Sequence, residues 1–196
     1  MILKNGYSLS FPKNLQFTDD ELFDFCQRNP DLNIERDHNN NILIMSPTGS
    51  LSGKFSSTLI IELGIWNKEN HLGHVFDSST GFSLPDGSMR SPDVSWVSNE
   101  KWDQLSLAEK KKFAPVCPEF VVEVMSPSDD LSELKDKMLM YLTNGAQLGW
   151  LFDIENEAVF VYTPNNQSST VGYDHLLKAD QTLPGFEFDL SLLKSE

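Results

Sequence analysis

The sequence predicts an α/β domain, on the α+β borderline, built on a mixed central sheet flanked by helices. Three observations carry this expectation. The segment Phe120–Val121–Val122–Glu123–Val124–Met125 is short and almost wholly apolar, as in a strand covered on both faces. Ser50 to Asn70 places Phe55, Leu59, Leu63 and Trp66 at helical spacing. Around these lie short apolar runs bounded by Pro, Gly and Asn, so helices and strands interleave.

The elements follow in order. Thr18–Asp19–Asp20–Glu21 has the spacing of a capping box before Leu22, Phe23, Phe25 and Cys26, which predicts a short helix ending near Pro30. Leu32–Arg36 and Ile42–Met45 flank the polar Asn39–Asn40–Asn41 and predict a hairpin. Ser46–Pro47–Thr48–Gly49 is a loop before the long helix. Strands are expected at Val75–Ser78, Gly81–Leu84 and, after the Pro85–Asp86–Gly87 turn, Pro92–Val97. Ser106 and Glu109 form a second capping box, opening a helix that carries Lys110, Lys111 and Lys112 and stops before Pro115 and Pro118. Glu119–Met125 is a strand, and Ser126–Pro127–Ser128 is a turn. Asp130 with Glu133 caps a helix to about Asn144, with Gly145 as its stop. Leu148–Asp153 and Ala158–Tyr162 are strands, and the tail from Gln181 folds back onto the body through Leu183, Phe186, Phe188 and Leu190.

The chain has 196 residues, which fits one domain. Lys and Arg number 15 against 29 Asp and Glu, a formal net charge of −14. Such a chain is repelled as a whole by phosphate backbones. That excludes a non-specific nucleic-acid coat protein, but not an enzyme that works through a local site and a cation. Cys26 and Cys117 stand far apart, outside any metal-ligand spacing, as expected of a reducing cytoplasm. Met1 to Ser10 lacks the apolar segment of a secretory signal. The densest apolar stretch, Leu59 to Trp66, contains Glu62 and is too short to span a bilayer, so no membrane partner is expected. Gly49–Ser50–Leu51–Ser52–Gly53 is not a nucleophile elbow, and no glycine-rich phosphate loop occurs, which leaves an acyl hydrolase without a motif.

The candidate chemistry rests on carboxylates. Glu123 interrupts an apolar strand, and a carboxylate there must be ion-paired, protonated, cation-bound or turned to water at a sheet edge. In Arg90–Ser91–Pro92–Asp93–Val94–Ser95–Trp96–Val97, Asp93 alternates away from Val94 and Trp96. Two carboxylates from neighbouring strands suit a hard divalent cation, which activates water and neutralises charge on a phosphoryl group. Glu62 projects between Phe55, Leu59 and Trp66 of the long helix and is expected to face the same site, unless the helix is rotated from this assignment or Glu62 bonds backbone in the core.

Taken together, several segments resemble the Uma-type restriction endonuclease family of the PD-(D/E)XK nuclease superfamily. They are Ser46–Pro47–Thr48–Gly49, Arg90–Ser91–Pro92–Asp93, Val121–Val122–Glu123–Val124–Met125–Ser126–Pro127–Ser128, Lys137–Met138 with Tyr141 and Gly145, and Trp150–Leu151–Phe152–Asp153. The resemblance runs from about Phe17 to the C-terminus. It implies one restriction-endonuclease-like domain over residues 1–196, with an N-terminal helix–hairpin elaboration over about 1–45. It implies Mg2+ or Mn2+ as cofactor and hydrolysis of DNA phosphodiester bonds, the duplex being touched at a local site only. Asp93 and Glu123 then match the acidic residues, with the backbone carbonyl of Val124 as a further metal ligand. The lysine expected two residues after Glu123 is absent, because Met125 stands there. Lys137, on the following helix, matches in its place, and Lys135 is its rival. Cutting both strands suits a homodimer. A binding or interaction protein that keeps the fold without the chemistry is the alternative, favoured by Met125 and the −14 charge.

Overall fold

The computed structural model describes residues 2–3, 6–12, 16–164, 167–179 and 181–194. In chain order the first elements are β1 (Ile2–Leu3), β2 (Gly6–Leu9), α1 (Asp19–Arg28), β3 (Asn33–Arg36), β4 (Ile42–Met45), α2 (Ser50–Asn70) and β5 (Gly73–Asp77). Next come β6 (Phe82–Ser83), β7 (Met89–Arg90), β8 (Val94–Ser98), α3 (Asn99–Trp102), α4 (Leu107–Lys110) and β9 (Phe120–Val124). The chain continues with α5 (Leu131–Thr143), β10 (Leu148–Asp153), β11 (Ala158–Thr163), β12 (Gln167–Gly172), β13 (Leu176–Lys178) and β14 (Glu187–Asp189), then a 3-10 turn at Leu190–Leu193.

The main sheet has the order β12-β11-β10-β9-β8-β5. Only β9 and β10 pair in parallel, with Glu123 opposite Leu151, and the remaining pairs are antiparallel. Parallel strands need a long crossover, and α5 supplies it. The fold is therefore mixed α/β, with a mixed sheet flanked by helices.

Strand alternation assigns the two faces of this sheet. Val94, Trp96, Phe120, Val122 and Val124 face α2 through Phe55, Leu59, Leu63 and Trp66, and the C-terminal Phe186, Phe188 and Leu190 close the same core. Val97, Val121 and Leu151 face the other way, against Met138 and Tyr141 of α5. Gly149 is what lets α5 sit so close, since a Cβ there would lie 2.4 Å from the Met138 methyl. Gly145 ends the approach at φ 109°, a left-handed conformation that glycine adopts without strain.

The expected N-terminal helix–hairpin has a larger setting. β3 and β4 belong to a second six-stranded sheet, ordered β1-β2-β4-β3-β7-β6, with α1 packed on it through Leu22 beside Ile34, Ile42 and Met89. The Thr18–Glu21 capping box forms, and buried Arg36 ties the hairpin down through the carbonyls of Phe17 and Gly87. β7, β12 and β13 were not anticipated. β7 is two residues long and exists through pairing with distant strands, and β12 is polar without alternation. The Ser106–Glu109 box also forms, but its helix is a single turn that ends before Lys111. At α5 no reciprocal box forms: Asp130 accepts from the Ser132 N–H. Among the described residues, no helix is long and apolar enough to cross a membrane.

Candidate active site

Antiparallel pairing of Val94 with Val122 puts the next pair, Asp93 and Glu123, directly across from each other on the α5 face. Asp93 follows Pro92 just before β8 starts, where its side chain replaces the missing ladder partner. Its Oδ2 accepts the Val124 N–H at 2.7 Å. The N–H and C=O of one strand residue point to the same neighbour, so the Val124 carbonyl also lies on the Asp93 side of β9.

Lys137 reaches this pair from the second turn of α5. Its Nζ lies 2.9 Å from Glu123 Oε1 and 3.1 Å from Glu35 Oε1. The Tyr141 hydroxyl, one turn further along α5, donates to Glu123 Oε1 at 3.0 Å. Lys135 goes elsewhere: its Nζ sits over the Phe160 ring at 4.2 Å. The helix thus separates the two lysines as its 3.6-residue turn dictates, one into the site and one across the face of β11.

Glu35 was not singled out in the sequence. It is 3% exposed on β3 and accepts from Arg90 Nη1 at 2.8 Å and from the Ser91 N–H at 3.0 Å, besides Lys137. Ile34, Glu35 and Arg36 are all buried, so this strand is covered on both faces and alternation carries no signal there. The second sheet therefore contributes a carboxylate to the site through β3 and a guanidinium through β7.

Glu62 is a correction. Of the alternatives open for it, facing the Asp93–Glu123 pair is the one that fails, because α2 packs on the opposite face of the sheet, against Val122 and Val124; a helix turned from the assumed orientation is what the structure has. With Ser52 and Leu63 included, the buried stripe of α2 is centred about 60° away from Glu62, which is half-buried at its edge.

The site opens into a cavity of about 620 Å3, walled by Ser46–Gly49, Ser91 and Ser126–Asp129, with Asp93, Glu123 and Lys137 at its floor. Burial pushes the Glu123 carboxyl up to about 7; the Lys137 charge opposes this, and Asp93 and Glu35 add to it. Burial likewise raises Asp93, against the Val124 N–H and Lys137. At Glu35 burial is outweighed by the charges of Lys137 and Arg90, which hold it down at about 2. Lys137 stays cationic, since Glu123 and Glu35 overcome its desolvation. Three carboxylates thus share two cations, and the two most strained by burial are the pair across β8 and β9.

This donor set fits a divalent cation. Glu123 Oε1 is taken by Lys137 and Tyr141 and Asp93 Oδ2 by Val124, while Glu123 Oε2 and Asp93 Oδ1 receive no hydrogen bond from the described residues. Hard cations take such oxygens together with backbone carbonyls. No group of three or more His, Cys, Asp and Glu among the described residues is arranged to hold a metal. A cation at this place would rest on two carboxylates and the Val124 carbonyl.

A family model, Uma2, described as "Putative restriction endonuclease", matches residues 19–192. The chain belongs to the Uma2 family. A solved structure shares the fold: a nuclease, titled putative, of DUF820 from Anabaena variabilis ATCC 29413, with a TM-score of 0.69 and 21% identity over 82% of this chain and 88% of that one. No curated protein matches. In this Uma2 protein Met125 leaves β9 without a lysine, and the ammonium at the carboxylates comes from α5.

Proposed function

We propose that this protein is a divalent-metal-dependent endonuclease that hydrolyses DNA phosphodiester bonds. The observation that carries the reading is Asp93 facing Glu123 across two strands with the Lys137 ammonium 2.9 Å from Glu123. Membership of a family described as restriction endonucleases supports it. Asp93, Glu123 and the Val124 carbonyl would hold Mg2+ or Mn2+. Bound there, such a cation supplies Lewis acidity to a phosphoryl oxygen and lowers the pKa of water.

The chain's own residues do the rest. Asp93 is kept rigid by the Val124 N–H, so the two carboxylates hold a fixed spacing without a ligand. The Tyr141 hydroxyl, kept protonated by burial, fixes one Glu123 oxygen and leaves the other turned toward the cavity. Lys137 presents a positive charge where negative charge develops on the phosphoryl oxygens, the stabilisation that most favours such a reaction. Ser46–Gly49 and Ser126–Asp129 wall the approach to the carboxylates. Two copies related by a two-fold axis would present one site to each strand of a duplex.

The test is nicking of supercoiled plasmid with Mn2+ or Mg2+, beside calorimetric titration of the ion. Metal-dependent nicking, lost in Asp93→Asn and Glu123→Gln, is the expected result. A folded wild-type protein that binds neither ion would overturn the reading in favour of a non-catalytic binding protein.

A further inference from the structure

We infer that Glu35 is a positioning residue that holds the Lys137 ammonium at the Asp93–Glu123 pair, so that the second sheet braces the catalytic lysine of the first. The inference rests on the proposed nuclease reading for the role of Lys137, but not for its placement.

A lysine two residues after Glu123 would be held by its own strand. Lys137 instead stands on α5 and reaches the site through four flexible methylenes. Something must fix the far end of that side chain. Glu123 alone is a weak anchor, because its Oε1 is shared with the Tyr141 hydroxyl and a cation on its Oε2 would draw off charge that otherwise holds the ammonium. Glu35 is free of that conflict. Its Oε1 takes Lys137 at 3.1 Å and the Ser91 N–H at 3.0 Å, and its Oε2 takes Arg90 at 2.8 Å. Both oxygens are committed to protein groups, so Glu35 is not itself a ligand in waiting.

The bracing is built into the chain. Arg90 and Ser91, which clamp Glu35, lie three and two residues before Asp93 in the same Arg90–Ser91–Pro92–Asp93 segment. One stretch of backbone therefore sets the carboxylate of Asp93 and, through Glu35, the ammonium of Lys137. When a cation takes charge from Glu123, Glu35 still holds Lys137 in place.

The experiment uses the full chain and the variants Glu35→Gln, Lys137→Met and their double. In metal-free protein, lysines are acetylated under limiting reagent and followed by mass spectrometry. Lys137 should be labelled at least fivefold faster in Glu35→Gln than in the wild type, with Lys135 unchanged. With Mn2+ and plasmid, Glu35→Gln should lower kcat about tenfold with KM within threefold, and Glu35→Asp should recover part of the loss. In the Lys137→Met background, Glu35→Gln should cost nothing further. Thermal unfolding identifies the folded fraction, and Glu35→Asp, whose carboxylate is drawn back by one methylene, serves the labelling arm if Glu35→Gln does not fold. Wild-type labelling and wild-type kcat in folded Glu35→Gln overturn the inference, as do losses that multiply in the double variant. Faster labelling in a protein that never cuts DNA leaves the brace standing and removes the nuclease reading.

Discussion

Lys137 lies 2.9 Å from Glu123 of the main sheet and 3.1 Å from Glu35 of the second, so one ammonium joins a carboxylate of each sheet. Met125, just past the end of β9, neither carries charge nor donates a hydrogen bond, and the ammonium beside Glu123 comes from α5.

Lys137→Ala should therefore lower cleavage at least about tenfold, the effect of losing one transition-state contact of ~1.4 kcal/mol. Lys135→Ala, whose ammonium sits over Phe160, should leave it unchanged. Lys137→Ala also leaves Glu35 and Glu123 without their shared cation, and removing one partner of a buried pair costs about 3–5 kcal/mol. Its melting temperature should fall clearly at neutral pH. Cleavage and unfolding measured together, at a temperature where the variant is folded, check both. Equal activity in the two variants would sink the assignment of Lys137.

Asp93→Asn and Glu123→Gln should abolish metal-dependent nicking and leave the metal-free fold intact. The Asn and Gln oxygens still accept from the Val124 N–H and from Tyr141 and Lys137, so each existing donor keeps its acceptor, and the new amide NH2 faces the cavity side of the site. Each variant removes a carboxylate that burial disfavours, so thermal stability without metal should hold or rise at pH 8. Retained Mn2+-dependent nicking in both would refute their role.

The metal-free protein should be most stable near pH 5. Glu35 has its folded pKa lowered from 4.5 to about 2, so its contribution is present above 4.5 and is lost as pH falls through 2. Glu123 has the opposite sign. With a folded pKa raised from 4.5 to about 7, the folded state binds the extra proton between these values, so stability declines as pH rises through that window. Each limb is on the order of a few kcal/mol at about 1.4 kcal/mol per pKa unit. Denaturant titrations across pH 2 to 9 measure this. Glu123→Gln should remove the decline above pH 5, and an unchanged curve in that variant would contradict the cause assigned to it.

Most of the main sheet and both of its flanking helices, α2 and α5, were legible in the sequence, because these elements are long and periodic and α5 is bounded by local signals, Asp130 at its start and Gly145 past its end; polar β12 was not. Asp93 and Glu123 were legible for a related reason: each breaks an apolar pattern, and adjacent strands bring them together. Glu35 was not, since the groups that surround it, Arg90 and Lys137, come from 55 and 102 residues further along the chain. Glu62 misled because helical spacing tells which stripe of α2 is buried but not which face of the sheet receives it. Accordingly Glu62→Gln should leave cleavage within about twofold of wild type, an estimate drawn from the small effect of substitutions away from the reacting groups.

Nucleic-acid binding should depend on the divalent cation more than on lysine contacts. Four carboxylates line the cavity, Glu35, Asp93, Glu123 and Asp129, against one cation, Lys137. Lys137 is already paired, and the chain as a whole carries −14. Affinity built on phosphate contacts by lysine and arginine falls with salt at a slope of about −0.9 per contact, so this protein should show a shallow slope, near −1 or flatter. In EDTA, fluorescence anisotropy with a labelled duplex should give little binding at micromolar protein, and Ca2+, which takes the same oxygen ligands, should restore it. Asp93→Asn removes one repelling charge from the cavity floor. It should bind DNA in EDTA at least as tightly as the wild type, and it should gain little from added metal. Tight wild-type binding in EDTA with a steep salt slope would show instead that a basic surface elsewhere on the molecule carries the DNA.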